Sequence, residues 1–154
     1  LIKLGLLPYG KILDTDADCP TLTYNIIGRH QSRIVRTRIA SNKSPWLAAT
    51  QVGEVYSVPI SHGEGRFLAS EELVRKLAAN GQIATQYCDL DGNASASVQF
   101  NPNGSIYAIE GITSPDGRVF GKMGHSERRG QGLYKNVPGC YNIKIFESCV
   151  KYFK

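Results

Sequence analysis

Long apolar runs are missing from this sequence. No stretch of roughly eighteen apolar residues occurs, so no transmembrane helix is encoded and no membrane partner is expected. No secretory leader is visible either. Cysteine is sparse: the 4 cysteines, Cys19, Cys88, Cys140 and Cys149, are irregularly spaced and form no Cys-x-x-Cys pair. Free or buried thiols, with Cys88 and Cys149 in the core, therefore fit better than a disulfide framework. Histidine is scarcer still. His30, His62 and His125 lie far apart, and none has the i, i+4 partner that a zinc site usually shows, so no metal site is expected. Repeats, low-complexity segments and Walker-type phosphate loops are also absent. What remains is a chain of 154 residues, 42% apolar, with the size of one domain around one core.

Charge is only modestly one-sided, with 18 Lys and Arg against 13 Asp and Glu. Much of the excess lies in GRHQSRIVRTRIASNK, which carries Arg29, Arg33, Arg36, Arg38 and Lys43. RIVRTRI alternates, with Arg36 and Arg38 on one face and Val35, Thr37 and Ile39 on the other, as in a strand with one wet face. No nucleic-acid module accompanies it. A solvated or subunit-facing strand is the preferred reading, and a basic nucleic-acid-binding domain is the alternative.

LIKLGLLPYG reads as the end of a helix, with Gly5 as C-cap and Pro8 preventing continuation, so the chain is expected to be a fragment of something longer. LTYNII, RIVRTRIA and GEVYSVPI read as strands. Ser44 and Pro45 open a short helix in SPWLAAT. SEELVRKLAANG is the clearest helix, capped by Ser70, striped by Leu73, Val74 and Leu77, and ended by Gly81. QIATQYCDLDGNASASVQF predicts a hairpin turning at Asp91-Gly92, and YAIEGITSPDGRVFGKM another turning at Pro115-Asp116-Gly117. Near the C-terminus, Phe146, Cys149, Val150 and Phe153 fall at helical spacing. Strands interrupted by a few helices imply a three-layer α/β fold.

After VFGKM the chain reads GHSERRG. His125 and Glu127 stand two residues apart, a spacing that lets them share a cleft at a strand end or in a loop but diverge on a helix. A histidine oriented by a carboxylate makes two thirds of a catalytic triad, the missing third being a nucleophile. The pair alone is equally compatible with a surface histidine beside a Glu127–Arg128 or Glu127–Arg129 contact. SHGEGR is likewise compatible with a plain glycine turn in which Glu64 and Arg66 pair.

SHGEGRF (61–67), NPNGS (101–105) and GKMGHSER (121–128), in that order and at those separations, resemble the glutaminase domain of phosphoribosylformylglycinamidine synthases. YCDLDG and EGITSPDGRVFG fit as well, and NIIGRHQSRIVRTRIASNKSPW is similar to the corresponding segment of the long, single-chain form. The resemblance covers essentially residues 1–154. It implies the later portion of a class I glutamine amidotransferase fold, flavodoxin-like, with a mixed sheet and hairpins. It further implies a Cys-His-Glu triad in which His125 is the general base and acid and Glu127 orients it. Ser61, His62 and Gly63 would bind glutamine in a loop at the carboxyl end of a strand, near the His125 loop. NPNGS is taken as structural. The family often has proline where Gly124 and Ser126 stand.

The family's nucleophile sits in a Gly-x-Cys-x-Gly elbow, and none of the four cysteines has that context, so the fragment is expected to begin just after the elbow and to be inactive alone. The implied partners are glutamine and a cytoplasmic synthase portion, where ATP and Mg would act. No cofactor is expected in this chain. A non-catalytic docking or regulatory module of the same fold is the other alternative.

Overall fold

The computed structural model describes Leu1–Lys154 in full. Its main sheet has five strands: β2 (Gln31–Ile39), β3 (Val55–His62), β5 (Ile83–Tyr87), β6 (Ile109–Thr113) and β7 (Phe120–Lys122). Their order is β3-β2-β5-β6-β7, and a separate two-stranded sheet joins β1 (Thr21–Thr23) to β4 (Arg66–Leu68). Every pairing is antiparallel, so of the mixed sheet expected from the resemblance this chain carries only antiparallel strands.

The alternation in β2 is as anticipated. Val35, Thr37 and Ile39 are buried, while Arg36 and Arg38 lie on the other, partly exposed face. Ile83 and Ala84, adjacent in β5, belong to different apolar clusters, as expected of a strand whose successive side chains alternate faces. Ile83 packs with Ile109, Ile112 and the helix α2 (Glu71–Ala79) through Val74 and Leu77. Ala84 packs with Ile39, Leu47, Tyr56 and Ile145, the first residue of the helix α3 (Ile145–Phe153). Helices thus cover both faces of the sheet, which gives three layers.

Local signals place most boundaries. The Ser70 side chain accepts the Leu73 N–H and starts α2, and Ser44 does the same for Trp46 at the 3-10 turn Pro45–Leu47. Gly5, at φ 78, ends the 3-10 turn Ile2–Leu4, and Pro8 follows in α1 (Leu6–Tyr9), a single turn interrupted at Leu7. The β6–β7 hairpin turns at Ser114–Gly117, where Ser44 Oγ and Trp46 Nε1 donate to the carbonyls of Gly117 and Arg118, both at 2.7 Å.

Four expectations need correction. Of LTYNII only Leu22 and Thr23 are in a strand, because Asn25 turns the chain by donating its side-chain amide to Arg29 O and His62 O. The second arm of the Asp91-Gly92 hairpin is reduced to one bridge, Cys88 with Ala94, since the small polar run ASAS has little to pack on a pleated surface. The face of α3 that carries Cys149, expected in the core, points outward: Phe146 is 53% exposed, Val150 52% and Phe153 65%. Cys149 is only partly buried, whereas Ile145 and Ser148 are buried, and Ser148 Oγ accepts the Ala49 N–H. Helical periodicity marks an apolar face but does not say which face is covered. Lastly, Ser61 and His62 are the end of β3 rather than part of a loop; only residues 63–65 turn.

Leu77 sits at 2% exposure among the side chains that dock α2. Leu77→Ala should therefore lower the unfolding free energy by roughly 2–5 kcal/mol in urea titrations, through lost burial and the cavity left behind.

Candidate active site

The loop after β7 is built from β6 outward. The side chain of Glu110 is fully buried and faces three donors: Gly124 N–H at 2.6 Å, the Lys122 ammonium at 3.1 Å and the Thr85 hydroxyl. Lys122 Nζ also donates to Gly124 O at 3.0 Å. The next residue, His125, donates its backbone N–H to Pro59 O in β3 at 2.8 Å. A Cβ on Gly124 would collide with both methyl groups of Val58, so glycine lets the loop lie against β3. A proline at this position could not supply the N–H that Glu110 accepts.

His125 Nδ1 lies 2.7 Å from Glu127 Oε1. With Nδ1 as the donor, Nε2 is left free to accept a proton. Arg128 N–H returns to His125 O and Arg129 N–H to Glu127 O, so a tight turn rather than an extended segment brings the two side chains together. Burial tends to raise the Glu127 carboxyl, but its backbone hydrogen bond, His125 and Arg128 together hold it below the ordinary carboxylate value. Arg128 Nε stands 3.7 Å from the same oxygen, so the plain surface contact coexists with the His–Glu pair. A cavity of ≈ 390 Å³ opens beside them, walled by Trp46, Phe120, His125, Glu127 and Phe146 among others. No cysteine lines it. Cys88 is buried elsewhere, its thiol pushed up by burial, and Cys140 lines a separate cavity with Arg33, Arg36 and Ser57.

Ser61 and His62 reach this neighbourhood because Pro59, which holds His125, lies two residues before Ser61 in the same strand. Two asparagines fix the turn that follows. Asn25 donates to His62 O, accepts the Gly65 N–H through Oδ1, and takes Gly63 O with its own backbone N–H. Asn103, fully buried, donates to Gly65 O at 3.1 Å and to the Tyr87 hydroxyl at 2.9 Å, and its amide faces His62 Nε2 at 3.4 Å. NPNGS therefore serves the site as its cradle. The glycines have different tasks: a Cβ at Gly65 would strike Asn103 and the His62 ring, whereas Gly63 faces open space where a ligand can approach the backbone. Arg66 donates to Gly104 O and does not pair with Glu64.

The sequence reading used neither Asn25 nor Asn103, nor Glu110 and Lys122. A polar residue inside an apolar strand pattern, such as Asn in LTYNII or Glu in AIEGI, was the available signal. The three histidines, remote in sequence, converge here. His30 Nε2 stands 3.1 Å from Ser61 Oγ, and His30 and His125 both act on the His62 imidazole. Burial is the main reason that imidazole is held below its ordinary value; the other histidines add to the effect, while its backbone hydrogen bond and Glu110 oppose it. His62 Nδ1 and Asn103 Oδ1 are buried polar atoms with no partner within the protein, so the cradle retains unused hydrogen-bonding capacity.

Residues 1–153 match the family described as the CobB/CobQ-like glutamine amidotransferase domain. The chain belongs to that family. It is 36% identical over 139 residues to the phosphoribosylformylglycinamidine synthase subunit PurQ of Aquifex aeolicus, covering 90% of this chain and 56% of the relative. It is 39% identical over 120 residues to the PurQ subunit of Chlorobaculum tepidum, covering 78% and 49%. The chain thus spans about half the length of the curated relatives it matches. A solved structure, that of PurLQS from Thermotoga maritima, superposes with a TM-score of 0.63 at 26% identity, over 87% of this chain and 53% of that one. The fold of this amidotransferase chain is accordingly the α/β class I glutamine amidotransferase fold. None of its helices is long and apolar enough to cross a membrane.

The lowered His62 value sets a pH dependence for the stability of this chain. Between its folded value and the ordinary 6.5, His62 binds fewer protons folded than unfolded. Its contribution to stability is therefore complete above 6.5 and declines as pH falls through that window. Urea unfolding between about pH 8 and about pH 5 should show this decline, and His62→Gln should flatten part of it. An unchanged slope in the variant would refute the assignment.

Proposed function

We propose that this chain is the later part of the glutaminase of a phosphoribosylformylglycinamidine synthase, hydrolysing glutamine to supply ammonia for purine biosynthesis. The observation that carries the reading is the 2.7 Å contact between His125 Nδ1 and Glu127, in a loop bonded to the strand that ends in Ser61 and His62. Membership of the amidotransferase family and the similarity to PurQ subunits support it.

In this reading Glu127 fixes the imidazole so that Nε2 faces the reaction. Nε2 takes the proton of a cysteine thiol, the thiolate attacks the glutamine carboxamide, and the imidazolium returns the proton to the departing ammonia. Water then hydrolyses the glutamyl thioester. Ser61, His62 and Gly63 hold the glutamine α-carboxylate and amino group, with the open face of Gly63 giving access to backbone. The nucleophile comes from a Gly-x-Cys-x-Gly elbow outside these residues, so residues 1–154 act as a partial glutaminase domain and have no glutaminase activity alone. Ammonia passes to a synthase portion, in the same chain or in a partner subunit, where ATP and Mg activate formylglycinamide ribotide. The assembly works in the cytoplasm.

In the complete enzyme, His125→Ala should lower glutamine-dependent synthesis by at least roughly 100-fold while sparing synthesis driven by added ammonia, because free ammonia bypasses thiolate formation and leaving-group protonation. Glu127→Ala should have the same selectivity with a smaller loss, since it removes the orienting group and leaves the base. Equal loss of both activities in a folded His125→Ala protein would sink the reading.

A further inference from the structure

The Glu110–Lys122 ion pair lies next to the His125 loop, and its bonds converge on one residue. Glu110 Oε1 accepts the N–H of Gly124, Lys122 Nζ donates to the C=O of Gly124, and the two side chains stand 3.1 Å apart. The backbone of Glu110 adds a bond, its carbonyl accepting Met123 N–H at 3.1 Å. Both peptide groups flanking Gly124 are therefore gripped, one by each charge, and the second of them is the peptide that leads into His125. Side-chain exposure is 0% for Glu110 and 10% for Lys122, so the pair is shielded from solvent, where charge is costly unless paired and hydrogen-bonded. Beyond each other and the Thr85 hydroxyl, the bonds these side chains make all go to Gly124.

We propose that Glu110 and Lys122 are positioning residues for His125: their ion pair sets the two peptide planes before the histidine and so aims its ring at Glu127 and at the reacting atoms. This rests on the glutaminase reading for its kinetic consequence, but its structural consequence stands apart from it. Both act through the backbone of Gly124.

The test uses the complete protein, with Lys122→Met, which strands a buried carboxylate, and the double variant Glu110→Gln with Lys122→Met. The double variant keeps an acceptor for Gly124 N–H and removes both charges. Each is assayed for glutaminase kcat and KM, and the His125 ring is followed by ¹⁵N NMR, which reports whether Nδ1 or Nε2 carries the proton. Lys122→Met is expected to lower kcat roughly tenfold or more with KM for glutamine little changed, as misplacement of a catalytic group does. The His125 signals should lose their Nδ1–H character. The double variant, which relieves the stranded carboxylate but still leaves Gly124 C=O without its donor, should retain most of both losses. A folded Lys122→Met protein with native kcat and native ring signals overturns the proposal, as does a double variant that recovers both. If Lys122→Met does not fold, the double variant, which strands no charge, takes its place. A shift of the ring signals there supports positioning, and unchanged signals overturn it. Should the unaltered protein hydrolyse no glutamine, the glutaminase reading falls while the NMR comparison still decides the positioning role.

Discussion

One hydrogen bond, from His125 N–H to Pro59 O, joins segments that the strand order sets at opposite edges of the sheet. β3 is one edge strand and β7 the other, yet the residues just beyond β7 lie against Val58 and Pro59. A flat five-stranded sheet would hold these edges far apart, since neighbouring strands are spaced about 4.8 Å. The sheet must therefore curl, and the register shifts between β5 and β6 at Thr85 are where the bending is built in, because an irregular pairing increases local twist. Closure protects the edge as well. Pro59 offers no donor there, its carbonyl is taken by His125, and Ser57 N–H goes to Cys140 O, so β3 presents little unpaired backbone for another chain to join. Without the curl, His125 and the Ser61–Gly63 segment would belong to opposite ends of the molecule.

Closure brings the segments together, and buried amides hold them. Asn25 and Asn103 engage the carbonyls of His62 and Gly65 and the N–H of Gly65, groups that a turn leaves without partners from the sheet. An unsatisfied buried backbone group costs about 1–3 kcal/mol, so each asparagine removes a penalty as well as making a bond. Asparagine suits the task because one side chain both donates and accepts, which Asn25 does across a single turn. The arrangement holds the Gly63 carbonyl and its neighbours while leaving the Cα face of Gly63 open.

These facts explain which parts of the structure were legible in sequence. β2 declared itself by alternation, α2 by its Ser70 cap and apolar stripe, the β6–β7 turn by Pro-Asp-Gly, and the His125–Glu127 pair by its spacing, since each signal lies within a few residues. Asn25 was hidden in an apparent strand, because its partners at His62 and Gly65 are some forty residues away. Glu110 was hidden in the same way: AIEGI reads as a strand, and only pairing with β7 brings Lys122 beside it. Cys149 failed as a core residue for the complementary reason: the helical spacing around it was correct, but its face of α3 points outward.

The His125–Glu127 hydrogen bond and the Glu110–Lys122 ion pair divide the work by their depth. His125–Glu127 is on the surface, with side-chain exposures of 29% and 58%, and an exposed pair contributes little to stability. Its value is directional: it holds one ring nitrogen so that the other is free, while solvent and a ligand can still reach the ring. Glu110–Lys122 is sealed, and its geometry is enforced because a buried charge without its partner is strongly unfavourable. A weak, accessible pair needs a rigid base if its orientation is to persist, and the sealed pair grips the residue immediately before it. The loop thus carries a partly exposed histidine directly after a residue that is held at both of its peptide groups.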